Sequence, residues 1–185
     1  MDNIDFNRRK SIIYKANILG IQVEDFGWAL KLIEGNKQKF IDLTHSDSKM
    51  SIEYDNITIV DNFVIAQNYD KGRHCGVYVR GKDKDIISRI KNTQLIGAID
   101  NDTKVVCIRN NNRTDRITLI NYKGKVIKVD VSSTRAHSFK AMQDGTYVIT
   151  ETSHLYYMDG TVSRYESPLV VVDADLNIIT NNDNR

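Results

Sequence analysis

Proline is nearly absent from this chain: Pro168 stands alone among 185 residues. Turns must therefore be made by Gly, Asn and Asp. Cysteine is almost as scarce. Cys75 and Cys107 have no metal-ligand spacing, so they are expected to be free thiols. No apolar run exceeds a few residues, even near "PLVVVDA", which leaves no candidate for a membrane-spanning helix. The opening "MDNIDFNRRKS" has acids first and no apolar core region, unlike a secretory signal, so the cytoplasm is the expected address. Net charge is only +2, too little to impose nucleic-acid binding by composition. The sequence has no P-loop, GxGxxG, HExxH or GxSxG pattern.

What the chain does have is ordinary globular material, 41% hydrophobic and 27% charged. Its length suits one domain with a core of its own. Short segments rich in Val, Ile, Tyr and Thr alternate with turn signals such as "EDFG", "YDKG", "YKG", "QDG" and "MDG". That spacing predicts an all-β fold. No segment shows a sustained 3.6-residue period, and "KDIISRIKN" aligns with strands.

The strands recur in pairs. "IQVEDFGWALKL", "ITIVDNFVIAQN", "IGAIDNDTKVVCI" and "FKAMQDGTYVIT" read as one hairpin repeated at about forty-residue spacing. A second hairpin follows each copy: "QKFIDLTHSDSKMSI", "CGVYVRGKDKDIISRI", "ITLINYKGKVIKVD" and "HLYYMDGTVSRYE". Each unit then holds four strands, A to D, over residues 12–50, 51–92, 93–134 and 135–167. A half unit follows over 168–182.

A repeated four-stranded unit of this length resembles the blade of a small β-propeller, without the signature of a particular propeller family. The resemblance implies a ring of four to five antiparallel blades that buries the sheet faces. The last blade is expected to be completed by "RKSIIYK" from the N-terminus. An irregular β-sandwich made of the same hairpins is the alternative architecture.

Chemistry-bearing residues are sparse. Asp25, Asp61, Asp100 and Asp144 recur at the A–B corners. There, turn chemistry accounts for them better than paired catalytic carboxylates do. "DADLN" (Asp173, Asp175, Asn177) begins like a calcium loop. It then departs from one, with Ile178 at the glycine position and Asn184 at the twelfth. The four histidines are scattered. His74 and Cys75 are neighbours on a strand, so their side chains diverge and cannot act as a pair. Cys107 in "KVVCI" reads as a core thiol, and Trp28 as a packing residue rather than a sugar platform. No cofactor, metal site or catalytic set is expected.

One pattern remains. In a blade, the A–B and C–D turns share one face and the B–C and D–A loops the other. Glu24, Asp25, Asp61, Asp100, Asp102 and Asp144 face a single Lys104 in the A–B turns. The opposite loops carry Lys37, Lys39, Lys71, Arg73, His74, Arg113, Arg116 and His154, together with His45, Lys49, Lys91, Arg135 and His137. This places a basic face on Lys71, Arg73, His74, Arg113, Arg116, Arg135, His137 and His154. The expected function is a non-enzymatic module that binds an anionic macromolecule there, an acidic protein surface or nucleic acid, as an inhibitor or adaptor. A lectin-like small-ligand propeller and an enzyme with a central-channel site are the alternatives.

Overall fold

The computed structural model describes residues 4–69, 74–82, 93–110, 116–132 and 134–181. The chain forms two compact units, Met1–Thr93 with Asp100–Thr103, and Gln94–Ile99 with Lys104–Arg185. Its described elements are one helix and fourteen strands. The expectation of an all-β protein holds apart from that helix.

The strands form four separate antiparallel sheets, each a meander in chain order. The first comprises β1 (Gln22–Asp25), β2 (Ala29–Glu34) and β3 (Lys37–Asp42). The second comprises β4 (Asn56–Ile59), β5 (Phe63–Asn68) and β6 (His74–Val79). The third holds β7 (Thr93–Ile96), β8 (Val105–Asn110), β9 (Arg116–Asn121) and β10 (Val126–Asp130). The fourth holds β11 (Ala136–Ala141), β12 (Tyr147–Tyr156), β13 (Val162–Val172) and β14 (Ile178–Asn181). The central strands β5 and β8 bury four consecutive residues each, Phe63–Ala66 and Val105–Ile108. Continuous burial of this kind marks strands covered on both faces.

In the first unit, one apolar cluster joins Trp28, Ala29 and Phe40 of the first sheet to Tyr54, Ile57, Ile59, Val64 and Ala66. Trp28 is thus a core residue. In the second unit, Val105, Cys107, Ile117 and Leu119 pack with Phe139, Ile149, Val170 and Val172. Burying such side chains fully is worth about 1.5–3 kcal/mol each.

The N-terminus departs from expectation. "RKSIIYK" is not an outer strand; it lies inside helix α1 (Phe6–Ile18). Asp5 caps the helix, its carboxylate accepting the Arg8 N–H at 2.9 Å. At the other end, the Ile21 N–H reaches the Ala16 carbonyl and the Gly20 N–H reaches that of Asn17. This double closure needs a left-handed residue, and Gly20 supplies it at φ 70°. Ile12 and Ile13 pack with Leu30, Ile41 and Leu43 of the first sheet. The Arg8 guanidinium donates to the carbonyls of Ser46 and Ser48, and Arg9 pairs with Asp25. No described helix is long and apolar enough to cross a membrane.

Two further boundaries differ from the repeat assignment. Residues 168–172 belong to β13, and β14 pairs with Val170–Val172, so the half unit expected over 168–182 is part of the fourth sheet. "HLYYMDGTVSRYE" is likewise no separate hairpin but the far end of the one formed by β12 and β13. In the first sheet, Ser51 donates to the Phe40 carbonyl, and Tyr54 pairs with Gln38. Residues 51–54 therefore follow β3 as its neighbour, and the loop 43–50 is a C–D connection. His45 and Lys49 accordingly do not sit in a D–A loop. His45 Nε2 donates to the Gly81 carbonyl at 2.7 Å, and Asp42 accepts the Gly81 N–H at 3.0 Å.

Candidate functional site

The corner carboxylates are occupied locally. Asp25 accepts the Gly27 N–H at 2.9 Å, and Asp100 accepts the Asp102 N–H at 3.0 Å. Asp144 takes both the hydroxyl and the N–H of Thr146, at 2.6 and 3.0 Å. Those bonds, the hydroxyl's first, hold its carboxyl below the ordinary range. A carboxylate held ionised this way is a poor proton donor near neutral pH. Asp173 accepts the N–H groups of Asp175 and Asn177, each at 2.9 Å. "DADLN" thus closes a turn on itself, and no metal-ligand cluster occurs among the described residues.

The thiols are equally withdrawn. Cys75 and Cys107 are buried and unlinked. Burial pushes the Cys75 thiol up to about 12 and raises Cys107 as well. Neither is a thiolate near neutrality, which is what nucleophilic chemistry requires.

The expected basic face fares unevenly. Lys71, Arg73 and Arg113 lie outside the described residues. His74 opens β6 and is half-buried. Arg116 opens β9 and is paired with Asp130 across the β9–β10 ladder at 2.8 Å. Arg135 and His137 are brought together, but on a carboxylate of their own sheet. The Arg135 guanidinium donates to Glu151, and His137 Nε2 stands 3.4 Å from the other Glu151 oxygen. The His137 side chain is wholly buried and offers nothing to a partner. Burial, the strongest influence on Glu151, works to raise its pKa. The Arg135 hydrogen bond and charge, with His137, outweigh it, and the carboxyl ends below its ordinary value. This cluster is an ion pair within the fourth sheet, with Glu151 buried and Arg135 partly exposed.

No family model, curated protein or solved structure matches this chain. Its own surfaces must supply the functional argument.

His154 leads to the most distinctive of them. It sits on β12 beyond the last residue paired with β11, which is Thr152. From there β12 and β13 continue, joined by no other described strand, through Ser153↔Tyr165, His154↔Arg164, Leu155↔Ser163 and Tyr156↔Val162. Four residue pairs at ~3.3 Å each carry this ribbon about 13 Å past the sheet. Its tip is held by the Tyr157 N–H donating to the Thr161 carbonyl at 2.9 Å, and by Asp159, which accepts the Thr161 N–H at 2.9 Å. Tyr156 is 79% exposed, Met158 fully so, and Leu155, Val162 and Tyr165 about half. A projecting ribbon this rich in exposed apolar and aromatic side chains is unusual for a surface that meets only water.

The outer face of α1 is the other surface the repeat reading passed over. Tyr14 and Ile18 are exposed, with the exposed Lys10 and Lys15 on either side of them. The helix contains no Asp or Glu. In the same unit, an open cleft of about 440 Å³ is lined by Phe26, Trp28, Val60, Asp61, Asn101 and Asp102. Trp28 is buried with Arg80 over its ring at 5.7 Å, so the indole presents no free face for stacking a sugar.

Proposed function

We propose that this chain is a non-enzymatic interaction module built from four propeller-type blades, and that the ribbon over residues 153–166 is its contact element. The meander order of each sheet supports the blade reading. The ribbon carries the functional one. Tyr156, Tyr157 and Met158 stand beyond the sheet on a tip fixed by its own hydrogen bonds, so little ordering entropy opposes docking. Aromatic side chains in this setting are the typical anchors of protein–protein contacts. The test is a paired capture from the source cell, with immobilised wild type against Tyr156→Ser/Met158→Ser. A partner retained by the wild type is expected to lose roughly 100-fold or more in affinity on the double variant. Equal retention on both would remove the tip from the reading.

A second reading keeps the anionic partner but relocates its site. Lys10 and Lys15 beside exposed Tyr14 and Ile18, on a helix without acids, fit an acidic surface better than the internally paired Arg116 and Arg135 do. Heparin is the probe. Retention is expected to end at roughly 0.5 M salt. Lys10→Glu/Lys15→Glu should shift elution to clearly lower salt. If instead only Arg73→Ala/Arg113→Ala does so, the loops of the original assignment carry the charge.

A further inference from the structure

The outer face of α1 carries more apolar surface than a purely electrostatic contact needs. With about 100° of rotation per residue, Tyr14 and Ile18 fall in the middle of that face, one turn apart. Lys10 and Lys15 stand on its two borders, and Phe6 and Leu19 lie towards its ends. The apolar side chains are open to solvent: Phe6 is 60% exposed, Tyr14 68%, Ile18 66% and Leu19 72%. The other outer positions, Asn7, Ser11 and Asn17, are neutral.

The inner half of the helix is already engaged. Ile12 and Ile13 pack with the first sheet, and Ala16 is buried. The Arg8 guanidinium is held by the carbonyls of Ser46 and Ser48, and that of Arg9 by Asp25. Two lysines and the apolar strip therefore remain for a partner.

Two cations are few for a partner held by charge alone, because such affinity grows with each anion neutralised. A groove on another protein gains by enclosing a helix, and here only a shallow convex strip is offered. An anionic bilayer surface requires neither many charges nor a matching shape. It takes apolar and aromatic side chains between its headgroups. Lysines on the borders run their stems along the apolar boundary and keep their ammonium groups among the lipid phosphates. The acid-free helix supplies the charge complementarity, and the strip from Phe6 to Ile18 extends it over roughly 18 Å.

We propose that α1 lies on an anionic lipid surface, with Tyr14 and Ile18 between the headgroups and Lys10 and Lys15 on their phosphates. The inference rests on the second reading above, which gives the outer face of α1 the anionic partner, and it makes that partner a membrane surface. The contact is peripheral, since the 13 residues of α1 are too few to span a bilayer.

The experiment is co-sedimentation of the full chain with vesicles of phosphatidylcholine containing about one-third phosphatidylserine, and with vesicles of phosphatidylcholine alone. The wild type is expected to bind the anionic vesicles at least about tenfold more tightly. Lys10→Gln/Lys15→Gln should weaken that binding by about 30-fold, roughly fivefold per lysine. Tyr14→Ser/Ile18→Ser leaves every charge in place and should weaken it by about 30-fold or more. A contact made by charge alone would not respond to this second pair. Circular dichroism confirms that each variant is folded. Tyr156→Ser/Met158→Ser, at the ribbon tip, should bind vesicles as the wild type does.

No binding to the anionic vesicles, equal binding to both kinds, or normal binding by the folded Tyr14→Ser/Ile18→Ser variant would each overturn the proposal. So would a loss confined to the tip variant, which would assign the lipid to the ribbon. Heparin separates this outcome from failure of the underlying reading. Retention that Lys10→Glu/Lys15→Glu weakens, without any vesicle binding, keeps the basic helix face but gives it a protein or nucleic-acid partner instead of a lipid.

Discussion

Replacing Arg135 with alanine is expected to destabilise the protein by about 3 kcal/mol near neutral pH, with a penalty that shrinks in acid. The reason lies in Glu151, a carboxylate only 5% exposed within the fourth sheet. Its burial works against the charge, and the Arg135 guanidinium with His137 overcomes that opposition. With its folded-state pKa lowered, Glu151 contributes stability above its unfolded value, 4.5, and that contribution fades as pH falls through the folded value. Removing Arg135 leaves burial opposed by His137, so the folded pKa rises from its lowered value and the stability that ionised Glu151 contributes at neutrality shrinks. Once the carboxyl is protonated in both variants, that difference is gone. Urea unfolding of wild type and Arg135→Ala at several pH values measures the difference directly. Adding Glu151→Gln to Arg135→Ala should restore part of the loss, because the pair acts as a unit. A penalty independent of pH would show that the Arg135 side chain contributes packing rather than charge.

This ion pair also explains why the basic face was the least legible feature of the sequence. Arg116 meets Asp130, fourteen residues on, and Arg135 meets Glu151, sixteen residues on, each on the neighbouring strand. A tally of charges by loop cannot see such partners, because the strand register creates them. The corner aspartates were legible for the opposite reason. Asp25, Asp100 and Asp144 bond to groups two residues away, which turn chemistry dictates locally.

The helix is marked in the sequence at both ends. Asp5 and Gly20 are ordinary start and stop signals, and only Ile12, Ile13 and Ala16 carry the inner face. Exposed Phe6, Tyr14 and Ile18 on the outer face blurred the period, while "SIIY" resembled a strand. The full length of the β12–β13 hairpin is hard to see in the sequence because "TS" at residues 152–153 resembles a turn signal. Nothing local forces it to be one. Thr152 is suited to a strand, and its pairing with Glu166 and Ala136 settles the matter.

Substituting valine for Gly97 should cost about 4 kcal/mol, against about 1–2 kcal/mol for the same change at Gly145. The two glycines share nearly the same backbone, φ 88° and 83°, so the conformational strain on a branched side chain is common to both. Their surroundings differ. A Cβ on Gly145 would meet nothing within 4 Å. On Gly97 it would stand 3.0 Å from Phe139 Cδ1 and 3.1 Å from the Phe139 carbonyl oxygen. The ring is held in place by stacking with Tyr147 at 5.8 Å and by the core cluster around it. The carbonyl belongs to β11, which is fixed by its ladder with β12. Neither neighbour can give way without disturbing a strand, so the excess at Gly97 measures how closely the backbone after β7 approaches β11. Thermal or urea unfolding of both variants provides the comparison. If both positions lose the same amount, backbone strain alone accounts for the glycine at 97, and the contact with Phe139 plays no part.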